Sequence, residues 1–306
     1  MPHNKRTFAI LSGIAILCAI FCDLLIVTYV SGKNADWRVI LWWIVLSAIS
    51  VGNIFAWIFS YGIFRQKAHA DPRFSTLRKW YPLLTGIYVA VCAFRSFLPR
   101  VDVQAYVLVN SWLSSIFVGR SVATLAELCF MGLLCIYLRE VAKATGCRTG
   151  VIVSWIVVPL IAIAECFSWY SVITTSYLGN SVEESTWAFC EFLLLISLIL
   201  IWPKAEHGKR RFLAPLLLVV GIYVVYMVTL DVPLYVSNYL ADQAAAKVYL
   251  NFFQGIASAL HKWIVTYSYA DWSSQMLGVL LYFSITVWVS IALLYAPRFA
   301  PTPNIS

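Results

Sequence analysis

FAILSGIAILCAIFCDLLIVTYV, Phe8–Val30, is an apolar run of 23 residues interrupted by one acid, Asp23. A helix needs about 20 such residues to cross a hydrocarbon core roughly 30 Å thick. The preceding MPHNKR resembles a signal-peptide n-region, but the run exceeds the 7–15 residues of an h-region and no small-residue cleavage site follows. It reads as a retained first membrane span, and the rest of the chain repeats the pattern.

Over 306 residues, 61% are hydrophobic and only 12% charged, where a soluble domain carries about 25% charge. The mean hydropathy is +0.81. Eight stretches are long and apolar enough to span, at 8–30, 39–64, 80–98, 116–138, 150–173, 186–203, 212–231 and 276–296. In lipid every backbone polar group must be satisfied within the segment, so these stretches are helices. The expectation is an all-α, multi-pass membrane bundle forming one domain over 1–306.

The formal charge of +8 follows from topology and needs no nucleic acid. Lys and Arg gather in cytoplasmic loops. With both termini inside, the inner segments hold fifteen of them: Lys5, Arg6, Arg65, Lys67, Arg73, Arg78, Lys79, Arg139, Lys143, Arg148, Lys204, Lys209, Arg210, Arg211 and Arg298. The outer segments hold five, Lys33, Arg38, Arg100, Lys247 and Lys262. Two outer loops are unusual. VDVQAYVLVNSWLSSIF, 101–117, is too apolar for a solvated linker, and about forty residues separate spans seven and eight. Within the latter, Val248, Phe252, Ile256, Leu260 and Trp263 recur at helical spacing, with Lys247, Gln254, Ser258 and His261 towards another face. That pattern predicts an interfacial helix over about 243–267, lying on the outer surface as a lid.

Seven ionisable residues fall inside spans or at their ends: Asp23, Arg95, Arg120, Glu127, Glu165, Glu191 and Asp231. At 1.5 Å per residue, Glu127 comes out near mid-membrane. Asp23, Glu165 and Glu191 lie roughly 4–6 Å to its outer side, with Asp231, Arg95 and Arg120 further out. Charges in spans usually face the bundle interior or a wet cavity, so this one-sidedness predicts a polar chamber near the outer face. Five acids against two arginines require protons or a bound cation to balance the rest. Glu127 is the candidate proton donor, Glu165 and Glu191 the base or cation-stabilising groups, and Arg95, Arg120, Asp23 and Asp231 substrate contacts. Trp169 and Trp187 each stand one turn from a glutamate and read as chamber walls, or equally as an interfacial belt. Arg120 is expected to pair with an acid from another helix. Asn53 places a polar group near mid-membrane, and Pro159 predicts a kink before Glu165. Pro233, two residues after Asp231, is expected to end span seven.

Several chemistries are missing. Four histidines, three of them in inner segments, are too few for the histidine-box chemistry of membrane desaturases and hydroxylases. A carboxylate-rich site still suits a hard cation. The eight cysteines include no C-x-x-C pair, seven lie in apolar runs, and they read as packing residues. No Walker A, G-x-S-x-G, H-E-x-x-H or dinucleotide fingerprint occurs. The sequence does not identify a cofactor. The expected partners are membrane lipids, a lipidic small-molecule substrate and, for a non-catalytic subunit, another protein. An enzyme acting on a lipid or isoprenoid-like substrate, a proton- or cation-coupled transporter and a non-catalytic membrane subunit are the three readings these residues support.

Overall fold

The computed structural model describes residues 2–70, 78–297 and 299. Arg73 and Arg298, which enter the charge argument, lie outside them. Among the described residues, eleven α-helices and three two-residue strands follow in chain order. They are α1 (Pro2–Val30), α2 (Trp37–Ala70), α3 (Trp80–Phe97), β1 (Arg100–Val101), β2 (Tyr106–Val107), α4 (Ile116–Ala144), α5 (Arg148–Thr174) and α6 (Tyr177–Ile201). After these come α7 (His207–Tyr226), α8 (Val232–Ala244), α9 (Phe252–His261), β3 (Ile264–Val265), α10 (Tyr269–Leu281) and α11 (Val287–Ala292). Among the described residues, seven helical segments are long and apolar enough to cross a membrane. The helical fold and its apolar segments are those of a multi-pass membrane protein. Residues 80–98, expected as the third span, form α3, a helix of 18 residues with Arg95 in its last turn.

The chain packs as two compact units, 1–126 with 260–295, and 127–259 with 296–306. In the first, α2 is the central post. Trp42 stacks at a tilt on Trp272 of α10, ring centroids 5.6 Å apart, and donates to the Met276 carbonyl at 3.0 Å. Tyr282–Thr286 forms a π-helical turn between α10 and α11. Asn53 Nδ2 donates to the Phe283 carbonyl within that turn at 2.8 Å, so the polar group read near mid-membrane in span two serves a neighbouring backbone. The apolar 101–117 loop is structured. It holds β1 and β2, which pair antiparallel, while β3 adds alongside β2 in parallel. Tyr267 Oη donates to the Leu108 carbonyl at 3.0 Å and Trp263 Nε1 to Asn110 Oδ1 at 2.9 Å.

In the second unit α5 and α6 form a tight hairpin. Thr175, at φ 59°, reverses the chain, and Ser176 caps α6 by accepting from the Leu178 amide at 3.3 Å. Gly179 permits the close approach, because a Cβ there would sit 2.4 Å from the Phe167 carbonyl oxygen.

Two expectations change here. Pro233 does not end span seven: Met227–Asp231 forms a π turn, and the helix continues through α8 to Ala244. The wider turn reorganises the hydrogen-bond ladder just where proline lacks its N–H. The helix expected over 243–267 is confined to Phe252–His261. Asn251 and Gln254 cap each other at its start, the Gln254 amide donating to Asn251 Oδ1 at 3.0 Å and the Asn251 amide to Gln254 Oε1 at 3.2 Å. At its far end the chain leaves the helix to form β3.

Candidate functional site: a buried carboxylate cluster

The site lies in the second unit and grows from the hairpin. On α6, Asn180, Glu183, Trp187, Glu191, Leu194 and Leu198 recur three or four residues apart and all are buried. One helix face therefore carries two acids and a tryptophan into the protein. Glu165 lies on the buried side of α5, together with Ser168 and Ser171. Ser171 hydrogen-bonds Asn180 across the hairpin, and Asn180 Nδ2 donates to Glu183 Oε2 at 3.1 Å.

These helices bring Glu127 of α4, Glu165 and Glu183 together, one carboxylate oxygen from each lying within 4.8 Å of the other two. All three residues are buried, at 7%, 3% and 3% exposure. Three negative charges this close in a dry interior repel strongly, which favours shared protons, a bound cation or a cationic neighbour over three free charges. Each state has a chemistry. A shared proton makes the cluster acid and base at once. A hard cation would find carboxylate oxygens, the ligand type it prefers.

Of the sequence candidates, Glu127 and Glu165 are members of this cluster. Glu191 is buried at 3% exposure but stands eight residues beyond Glu183 along α6, about 12 Å at helical rise. Trp187 is buried on the same face between them, and Trp169 is half-buried. Asp231 accepts from Tyr226 Oη at 3.2 Å and lies beside the Glu184 carboxylate, so that a second acidic pair stands at the π turn. Asp23, Arg95 and Arg120 belong to the first unit. There Asp23 is half-buried on α1, and Arg95 lies over the Phe283 ring at 5.3 Å. Arg120 Nη1 is 3.6 Å from Asp102 Oδ2 on the β1–β2 turn.

Glu183 and Glu184 were missed because SYLGNSVEEST looks like a polar loop and span six is drawn from 186. The helix in fact starts at Tyr177. The spacing Glu183–Trp187–Glu191, one residue per turn, was the available signal.

A shallow apolar depression of about 530 Å³ lies along α7, lined by Trp202, Leu218, Gly221 and Val225 among others. A small apolar void sits between α4, α6 and α7. Neither includes a carboxylate in its lining, so neither marks the chemistry. No protein family, curated protein or solved structure matches the chain.

Proposed function

We propose that this protein is an integral-membrane enzyme performing acid–base chemistry on a lipid or isoprenoid-like substrate, with Glu127, Glu165 and Glu183 as its proton-handling group. The single observation that carries this reading is the convergence of three buried carboxylates from three different helices within 4.8 Å. Carboxylates in an apolar bundle are costly, and such residues generally mark a functional path. Close carboxylates that share protons supply both a donor and an acceptor. In this reading Glu127 donates, Glu165 and Glu183 accept, and Trp187 walls the chamber. Eight spans with both termini inside place the cluster towards the outer half of the membrane, and α9 is the lid over its mouth. Exposed Val248, Phe252 and Phe253 support that placement, because large apolar side chains at a helix start suit a lipid interface.

A second reading has its own support. The same oxygens form a donor set for a hard cation, which favours a cation-coupled transporter. One experiment separates the two. Purified protein reconstituted in vesicles is given labelled total membrane lipid, with cation uptake followed in parallel. Lipid conversion lost in Glu127→Gln supports the enzyme. Uptake of Ca²⁺ or Mn²⁺ without conversion, lost in Glu183→Gln, replaces it with the transporter. Absence of both, with a stoichiometric protein partner on purification, would establish a non-catalytic subunit.

A further inference from the structure

Arg139 follows directly on the apolar run that the sequence assigns to span four, and its guanidinium carbon lies 3.6 Å from the centre of the Trp155 ring on α5. Cation–π attraction holds such a pair. Trp155 is itself 57% exposed, with Ile152 at 59% and Ile156 at 41% beside it on α5. The ring under Arg139 therefore belongs to an outward, apolar surface.

The local fold builds this contact. α4 and α5 are each long and apolar enough to cross a membrane and are joined by residues 145–147 alone, so their turn stands at a membrane surface. Gly146 takes the left-handed conformation at φ 63°. The Cys147 amide donates to the Ala142 carbonyl at 2.8 Å and the Gly146 amide to the Lys143 carbonyl at 3.4 Å, which is a Schellman closure of α4. In the first turn of α5, Gly150 lets the two helices close up, since a Cβ there would lie 2.8 Å from the Ala142 Cβ. Arg139 and Trp155 each stand eight residues from Cys147, about 12 Å at helical rise. That is below the turn, towards the hydrocarbon.

The cations at this turn have no carboxylate among the described residues. Arg139 Nε is buried without an acceptor, whereas Nη1 and Nη2 are not buried and bond to no described residue. The fork of the guanidinium is open to its surroundings. Lys143, one turn further along the same face of α4, and Arg148, two turns before Trp155 on α5, are both exposed and form no ion pair with a described residue. Glu140, the nearest acid in sequence, thus pairs with none of the three. The tendency of basic residues to gather at cytoplasmic turns accounts for their presence there. It does not account for one of them lying along the span on an exposed ring.

The geometry points to a lipid site: the open Nη edge of Arg139, with Lys143 and Arg148 towards the turn, binds the phosphate of an anionic phospholipid whose acyl chain runs along Trp155 and Ile152. An arginine fork matches two oxygens of one phosphate through charge-assisted bonds. Basic residues beside a span attract anionic headgroups. The apolar wall below the fork makes the occupant a lipid, because a free phosphate has nothing to place against it.

The test uses the full chain purified in neutral detergent. Native mass spectrometry reads the adducts formed from an equimolar mixture of phosphatidylglycerol and phosphatidylcholine. Phosphatidylglycerol should be retained about fivefold in excess, the effect of one basic residue near an anionic surface. Arg139→Gln should bring the two lipids near parity, while Arg211→Gln, which removes an exposed charge near the start of α7, should leave the preference intact. Parity in the wild type, or a full preference kept in Arg139→Gln, overturns the site. So does an equal loss in both variants, which would mean that overall charge alone attracts the lipid. Displacement of the phosphatidylglycerol by inorganic phosphate at constant ionic strength would assign the site to a free phosphate and overturn the lipid reading. Should Arg139→Gln not fold, Trp155→Leu decides the matter. It keeps every charge and removes the ring, so the preference should fall, and an undiminished preference overturns the proposal.

Discussion

Asn180 Nδ2 donates to Glu183 Oε2 at 3.1 Å while the same side chain binds Ser171 across the α5–α6 hairpin. The turn of the hairpin thereby fixes the orientation of a cluster carboxylate. Asn180→Ala should leave Glu183 in place without this orienting bond, at a cost of about 1 kcal/mol in stability. Activity or cation response should fall without vanishing, and restoration by Asn180→Gln would mark a positioning role. An undiminished response in Asn180→Ala would show that this orientation is irrelevant.

Glu183 and Glu191 share a helix face but not a site. Glu183→Gln should alter whatever proton or cation response the cluster gives, whereas Glu191→Gln should leave it unchanged and fold normally. Proton release or cation-dependent unfolding, measured on both variants side by side, checks this. Equal effects would place Glu191 within the cluster's reach.

Gly255 holds α9 against the end of α5. A Cβ there would lie 1.9 Å from the Ile173 carbonyl oxygen, a backbone atom that cannot yield cheaply. Leu250 also donates its amide to the Thr174 carbonyl at 3.1 Å, and Lys247 Nζ donates to the Thr175 carbonyl at 2.9 Å. Gly255→Ala should lift α9 from its seat, seen as faster amide exchange across 247–261 with little change in α5 and α6. Unaltered exchange in that segment would contradict the docking described here.

Burial would raise the Asp102 carboxyl, but Arg100 and Arg120 hold it below its ordinary range, which makes an acid-side prediction. A depressed folded-state value adds stability that is present above the unfolded-state value, about 3.9, and is lost as pH falls through the folded one. Between about pH 4 and neutrality the contribution is complete. Asp102→Asn should lower the unfolding midpoint at pH 7 and flatten its decline below about pH 4. A variant curve parallel to the wild type through acid would remove Asp102 from the pH response.

The apolar runs made the helices legible, because length and hydropathy alone decide whether a segment can span. Glu127 and Glu165 were legible for the same reason, since an acid stands out in an apolar run. Glu183 was not, because a polar helix start and a loop have similar composition, and only the capping by Ser176 distinguishes them. Nor was the seat of Arg139: a charge just past a span is ordinarily solvated, and its stacking depends on Trp155, which belongs to the next helix. The α7–α8 junction misled through Pro233, since a π turn leaves no mark in hydrophobic periodicity.

That junction has a mechanical consequence. His207–Ala244 is a helical segment of 38 residues, about 57 Å long at ordinary helical rise, against roughly 30 Å of hydrocarbon. Even well tilted, it is a mast taller than the sea it stands in. Near its top Asp242 holds Lys247 at 2.7 Å, and Lys247 is tied in turn to the carbonyl of Thr175 at the tip of the hairpin. Lateral pressure on the rod in a thicker or thinner bilayer would be transmitted through that stay to the hairpin that carries Glu165 and Glu183, which makes membrane thickness itself a variable of the site.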